Sequence, residues 1–293
     1  MTFNPKADVS GNKARRRGRT AAVAGGGAVG LGAVAVLLIS MFTGVDLTPF
    51  LGGGADAGPS GGAQSEGTVI SECQTGADAN EADDCRIAAA SLVLDDFWAD
   101  YVDGYREPVL TVVDGSTSTQ CGTASNAVGP FYCPPEEGVY IDPTFFGILR
   151  QQFGASAGEL SQIYILAHEY GHHIQNITGI MQEHPSRATG ATSDSVRMEL
   201  QADCFAGAFI ADMTQQKDPN GQPYMLAPTE QQIEDALNAA AVVGDDHIQQ
   251  QSGMTNPESW THGSSEQRKR WFAIGFSQGV NSCDTFTVAG NEL

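Results

Sequence analysis

His168-Glu169-Tyr170-Gly171-His172 is the stretch on which the reading of this chain turns. Around it, residues 157–177 lack proline and place Leu160, Ile163, Ala167, Tyr170, Ile174 and Ile177 at three- and four-residue intervals. That period predicts a mostly buried helix, and Gly179 stands where a C-terminal cap is wanted. Positions i and i+4 of a helix share a face, so the imidazoles of His168 and His172 lean toward one point. Two imidazoles one turn apart beside a carboxylate are how many zinc peptidases build their site, with Zn–N bonds of about 2.1 Å. Hydrogen-bonded histidines on a half-buried helix would give the same pentapeptide, so a third ligand decides between the two readings.

Residues 195–213 supply one. This second apolar helical segment carries Glu199 and Asp203 one turn apart, among Leu200, Ala202, Phe205, Phe209 and Ile210. Carboxylates in such company need a positive partner. A loop through His184 and Pro185 gives the chain room to return on this helix. The expected ligands to one Zn2+ are therefore His168, His172 and Glu199, with water in the open fourth position that marks a catalytic zinc. Asp203 is expected behind them, accepting the far ring N–H of a ligating histidine and fixing its tautomer. His173 lies about 140° round the helix from His168 and points away, so it is read as structural. His184 and His247 sit in polar, loop-like surroundings and stay outside the site.

Three ordered motifs now stand on the sequence: His168-Glu169-Tyr170-Gly171-His172-His173-Ile174-Gln175, then Glu199-Leu200-Gln201-Ala202-Asp203-Cys204-Phe205-Ala206-Gly207, then His262-Gly263-Ser264-Ser265 with Arg268 and Trp271-Phe272. Together they resemble the neutral zinc metallopeptidases of bacteria. The resemblance runs from about residue 69 to the C-terminus, and the basic, apolar N-terminal head is similar too. It implies a zinc peptidase fold with two histidine ligands and one glutamate ligand, and it supplies no natural substrate.

The chemistry follows from the residue types. Zinc lowers the pKa of its water to about 7 and polarises a carbonyl, while Glu169 beside the ligand face can take the water's proton and pass it to a leaving amine. Zinc-dependent peptide-bond hydrolysis by a metalloendopeptidase is the expected activity. The alternative is a membrane-tethered zinc-binding scaffold, or a latent protease without turnover. His262 precedes Gly263 and the helix-start signal Ser264-Ser265. It is either a donor to the oxyanion of the tetrahedral intermediate or a residue that caps the following helix. Tyr140 lies in a short strand ended by Pro143; it either faces the cleft from a sheet edge that binds extended peptide or sits in the core of an internal strand.

Lys6, Lys13, Arg15, Arg16, Arg17 and Arg19 precede an uncharged run over residues 20–45, longer at 1.5 Å per residue than the roughly 30 Å hydrocarbon core of a bilayer. The expectation is a basic cytoplasmic segment over 1–19, one transmembrane helix over 20–45 and an extracytoplasmic C-terminal part held at the cell membrane. A cleaved signal peptide built on residues 34–41 competes with it, because Gly25, Gly26, Gly27, Gly30 and Gly32 weaken the first half. All six cysteines follow this run, an even number suited to disulfides in an oxidising compartment. Sequence proximity favours Cys73 with Cys85 and Cys121 with Cys133, which leaves Cys204 with Cys283.

Residues 46–68 read as a Gly-rich linker and 69–293 as one domain. Helical periods over 85–101, 143–153, 229–243 and 264–280 join the two zinc helices, with strands near 109–113 and 139–141. The expected class is α+β, helix-rich, with a short antiparallel sheet, and the resemblance makes it zincin-like. With 15 basic against 35 acidic residues the net charge is -20, which argues against nucleic acid as a partner and leaves a peptide or protein substrate and the membrane.

Overall fold

Arg15–Gly18, a segment expected to stand apart from the folded domain, is a strand inside its main sheet. The computed structural model describes residues 2–18, 67–185, 188–251 and 255–293. The uncharged run over 20–45, on which the transmembrane and signal-peptide expectations rest, lies outside the described residues, as does most of the expected linker. Among the described residues no helix is long and apolar enough to cross a membrane.

The strands are β1 (Arg15–Gly18), β2 (Thr68–Val69), β3 (Val109–Asp114), β4 (Ser116–Thr119), β5 (Gly122–Ser125), β6 (Phe131–Cys133) and β7 (Gly138–Ile141). The helices are α1 (Gly76–Glu81), α2 (Asp83–Tyr101), α3 (Phe145–Gln152), α4 (Glu159–Ile177), α5 (Ile180–Glu183), α6 (Asp194–Asp212), α7 (Glu230–Val242), α8 (Asp245–Gln251) and α9 (Ser265–Gln278). The fold is thus α+β and helix-rich.

Five strands form one sheet in the order β2-β1-β3-β7-β6, and β4 pairs with β5 in a separate hairpin. The sheet is mixed rather than antiparallel as expected: β1, β3 and β7 run parallel, with β2 and β6 antiparallel at the two edges. The inner strands β3 and β7 are apolar runs that bury nearly every residue, as strands covered on both faces do.

Three departures from the sequence reading concern the N-terminal part. Residues 2–18 are not a separate segment, since Phe3, Ala7 and Val9 are fully buried and Ala14 nearly so. Burying a Phe and a Val contributes about 1.5–3 kcal/mol each. The basic residues also find acidic partners on the domain: Lys13 Nζ lies 2.6 Å from Glu107, and Arg16 pairs with Glu72 at 2.7 Å and with Asp84. The linker ends earlier than expected, because Thr68 and Val69 form β2 against β1.

One continuous core joins α2, α4, α6 and α9 to the sheet. Phe97 and Trp98 of α2 meet Phe209 and Phe205 of α6 edge-on, with ring centroids 5.4 and 5.2 Å apart. Two helix contacts are closer than side chains permit. A Cβ on Gly207 of α6 would stand 2.1 Å from the Phe272 carbonyl oxygen of α9, and one on Gly275 of α9 would stand 1.8 Å from that of Cys204. Glycines let the two backbones touch there. Disulfides join Cys73 to Cys85 and Cys121 to Cys133, the pairs that sequence proximity favours, and Cys204 to Cys283, the pair that remains.

Candidate metal centre

Helices α4 and α6 lie against each other through Gly171, where an added Cβ would stand 2.9 Å from the Ala202 Cα. This contact sits between the two histidines of α4 and beside the two carboxylates of α6, and it brings the four side chains into reach. His168 Nε2 lies 3.2 Å from Glu199 Oε2, and His172 Nε2 lies 3.4 Å from Glu199 Oε1. One donor atom from each of the three residues falls within 4.8 Å of the others. Donors about 2.1 Å from a tetrahedral zinc are separated by roughly 3.4 Å, so two nitrogens and one oxygen so disposed fit that ion.

Hydrogen bonds behind these residues turn both imidazoles the same way. His168 Nδ1 donates to Asp203 Oδ1 at 2.9 Å, and His172 Nδ1 donates to Gln175 Oε1 at 2.8 Å, which leaves each Nε2 for the centre. Asp203 is itself fully buried and held on both oxygens by Arg268, whose Nε reaches Oδ2 at 2.7 Å and whose Nη2 reaches Oδ1 at 2.8 Å. Tyr164 donates its hydroxyl to the same carboxylate. Gln175 passes its amide to the Met198 carbonyl at 2.7 Å and to Gln201 Oε1 at 3.1 Å, and Gln201 donates to the Cys283 carbonyl at 2.8 Å.

The electrostatics favour a cation. Burial opposes an imidazolium at His168, yet the carboxylates of Asp203 and Glu199 outweigh it and lift its pKa to about 10. Burial likewise opposes the Glu199 carboxylate, but His172, His262 and His168 hold its pKa well below the usual range. Burial opposes the Asp203 carboxylate too, and Arg268 and His168 outweigh it and keep it ionised. A divalent ion can replace the protons that such a cluster attracts.

A cavity of about 280 Å³ opens over these residues, lined by His168, Glu169, His172, Glu199, His262 and Arg268 together with apolar groups. Glu169 follows His168 in the chain and lines this cavity. His262 also reaches it. Its loop is clamped by Asp245, whose Oδ2 accepts the backbone N–H groups of Thr261, His262 and Gly263 at 2.8, 2.7 and 2.9 Å. Nδ1 of His262 meets Thr261 Oγ1 at 2.7 Å. Ser264, not His262, caps α9, through a capping box with Gln267.

Tyr140 is not among the cavity's lining residues. It is buried on β7 between β3 and β6, stacks on Phe131 with ring centroids 5.4 Å apart and donates its hydroxyl to Glu136. The internal-strand alternative is the observed one, because β6 pairs on β7's outer side and takes the sheet edge. His173 is structural, its Nε2 donating to the Arg106 carbonyl at 2.6 Å and its Nδ1 facing the Tyr132 hydroxyl at 3.1 Å; burial lowers its pKa. The roles of Gln175, Arg268 and Asp245 were not read from the sequence. Gln175 alone carried a usable signal, being three residues from His172 on the same helix face.

These features define an α+β protein with a His-Glu-x-x-His helix, a glutamate from a second helix and a candidate zinc centre between them. The chain belongs to the family described as "Putative neutral zinc metallopeptidase", whose model matches residues 5–286. It is 47% identical over 227 residues to an uncharacterized protein of Mycobacterium tuberculosis, covering 76% of this chain and 77% of that relative. Over 271 residues it is 37% identical to the uncharacterized protein YpfJ of Escherichia coli, covering 88% of this chain and 86% of that protein. No solved structure matches it at a significant level.

Proposed function

We propose that the chain is a zinc-dependent endopeptidase that acts on peptide or protein substrates. The observation that carries this reading is the convergence of His168, His172 and Glu199 with Glu169 beside them in one cavity. When bound, zinc supplies a Lewis acid that polarises the scissile carbonyl and makes water acidic near pH 7. Glu169 takes the proton of the attacking water and delivers it to the leaving amine. His262 donates toward the oxygen on which negative charge develops; one such donor contributes about 3–4 kcal/mol in comparable hydrolytic sites.

The rest of the cavity orients substrate. Val128, Pro130, Phe145, Ile165 and Val243 form an apolar wall beside the metal residues, suited to an apolar side chain next to the scissile bond. Strand β6 is the sheet edge, and Phe131 and Tyr132 line the cavity, so the role first given to Tyr140 passes to β6: an extended peptide adds there as a further strand. Three disulfides support work in an oxidising, extracytoplasmic compartment.

A digest of a mixed peptide library by the metal-loaded protein, run beside Glu169→Gln, tests the reading. Cleavage next to apolar residues by the parent and none by a Glu169→Gln form that keeps its zinc are the expected results. Equal digestion by both forms removes Glu169 as the base, and no digestion by either leaves a zinc-holding scaffold.

A further inference from the structure

We infer that residues 2–18 and residues 67–293 lie on one side of any membrane, the N-terminal segment completing the sheet of its own metal-centre domain, so that the apolar run between them does not set them apart. The strand β1 is internal. Arg15 and Arg16 pair antiparallel with Val69 and Thr68 of β2, while Arg15 to Gly18 pair in parallel with Thr111 to Asp114 of β3. Without β1 the sheet would lose β2 and leave β3 as a bare edge.

Ahead of the strand, the segment is fastened at points far apart on the domain. The Asn4 backbone N–H donates to the Tyr224 carbonyl and that of Val9 to the Gln74 carbonyl, each at 2.9 Å. Thr2 Oγ1 donates to Glu159 at 2.9 Å, in the first turn of the helix that carries His168 and His172. Asn12, buried, donates its side-chain amide to the Cys73 carbonyl at 3.2 Å. Two of the basic residues that would mark a cytoplasmic end, Lys13 and Arg16, are paired with Glu107, Glu72 and Asp84 of the domain instead. The family match from residue 5 to 286 takes in both pieces.

Distance makes the topological argument. Neighbouring strands lie about 4.8 Å apart, whereas a single membrane passage would put roughly 30 Å of hydrocarbon between the two ends. Gly18 leaves β1 and Gly67 leads into β2, next to each other in one ladder, so the intervening chain departs and returns at the same place. Two passages would need about 40 mostly apolar residues, and the sequence offers one such run, over 20–45.

All six cysteines are in disulfides, so an introduced cysteine is the single free thiol of the full-length chain. Lys6→Cys and Ala273→Cys, both at exposed positions, are expressed separately in bacterial cells and treated with a membrane-impermeant maleimide before and after permeabilisation. The two positions should react alike, both before or both only after. Labelling of Ala273→Cys in intact cells with Lys6→Cys protected would overturn the inference, as would a mature chain that lacks residues 2–18. A second variant, Arg16→Cys with Thr68→Cys, places cysteines opposite each other on β1 and β2. After a protease cut within residues 19–66, the N-terminal piece should stay attached to its own chain until reductant is added. A bond joining two copies, or a piece that separates without reductant, refutes it. Neither readout depends on catalysis.

Discussion

Asp203→Asn keeps the shape of the side chain behind His168 and removes its charge, which makes it the sharpest test of how the centre is built. Arg268 is buried and directs two hydrogen bonds at this one carboxylate. Breaking a buried ion pair by neutralising one partner costs about 3–5 kcal/mol, since the remaining charge stays desolvated. For a domain of this size that is a fall in Tm of about 6–20 °C. The same carboxylate fixes the tautomer of His168, and loss of such a partner lowers metal affinity about 10–100-fold. The two effects separate in Asp203→Asn/Arg268→Met, where no orphan cation remains: stability should largely recover while zinc affinity stays low. Thermal melts of the metal-free forms and competition of each variant with a zinc indicator give the two numbers. A single variant that loses less than about 1 kcal/mol and binds zinc like the parent would refute the reasoning.

Gly171→Ala should push α4 from α6 at the contact that sets Glu199 beside the imidazoles, costing about 1–3 kcal/mol and weakening zinc binding; an unchanged affinity would show that the approach has slack. Asp95, outside the centre, has its pKa pushed up to about 7 by burial despite a hydrogen bond from Tyr105. A carboxyl whose folded pKa exceeds its unfolded value holds its proton better when folded, so its penalty is absent below about pH 4, grows with pH and is complete above about 7. Asp95→Asn should therefore gain stability relative to the parent as pH rises from 4 to 8, with a ceiling of about 4 kcal/mol, and a pH-independent difference in Tm counts against the shift. Replacing Cys204 and Cys283 together by Ala opens a loop of 79 residues, which on chain entropy costs about 4–5 kcal/mol, read from denaturant midpoints.

Much of the candidate metal centre was legible because its residues sit on two long helices with clear apolar periods. Once His168 and His172 share a face, a second helix bearing carboxylates among apolar neighbours can close the set, and residues 195–213 carry Glu199 and Asp203 one turn apart in such company. Pairing between strands is not local, and there the reading failed. The choice between an edge and an internal place for Tyr140 stayed open because nothing in Phe131–Cys133, three residues long, announces the strand that covers it. Residues 2–18 looked separate from the domain because their basic residues match a membrane-orienting pattern rather than a packed strand. Their acidic partners lie from 56 to 94 positions away in sequence, beyond any window of periodicity. Gln175 was quoted within a motif but given no task, since an amide on a helix has many uses until its partner is seen.

The bond between Cys204 and Cys283 lies at the end of a relay that reaches the candidate metal centre. The carbonyl of Cys283 holds Gln201, Gln201 holds Gln175, and Gln175 sets the ring of His172. Oxidation of that thiol pair thereby braces the side chain that turns His172 toward the candidate centre. A chain whose sulfurs are still reduced lacks that brace, so reduction should loosen the aim of His172 as well as the fold.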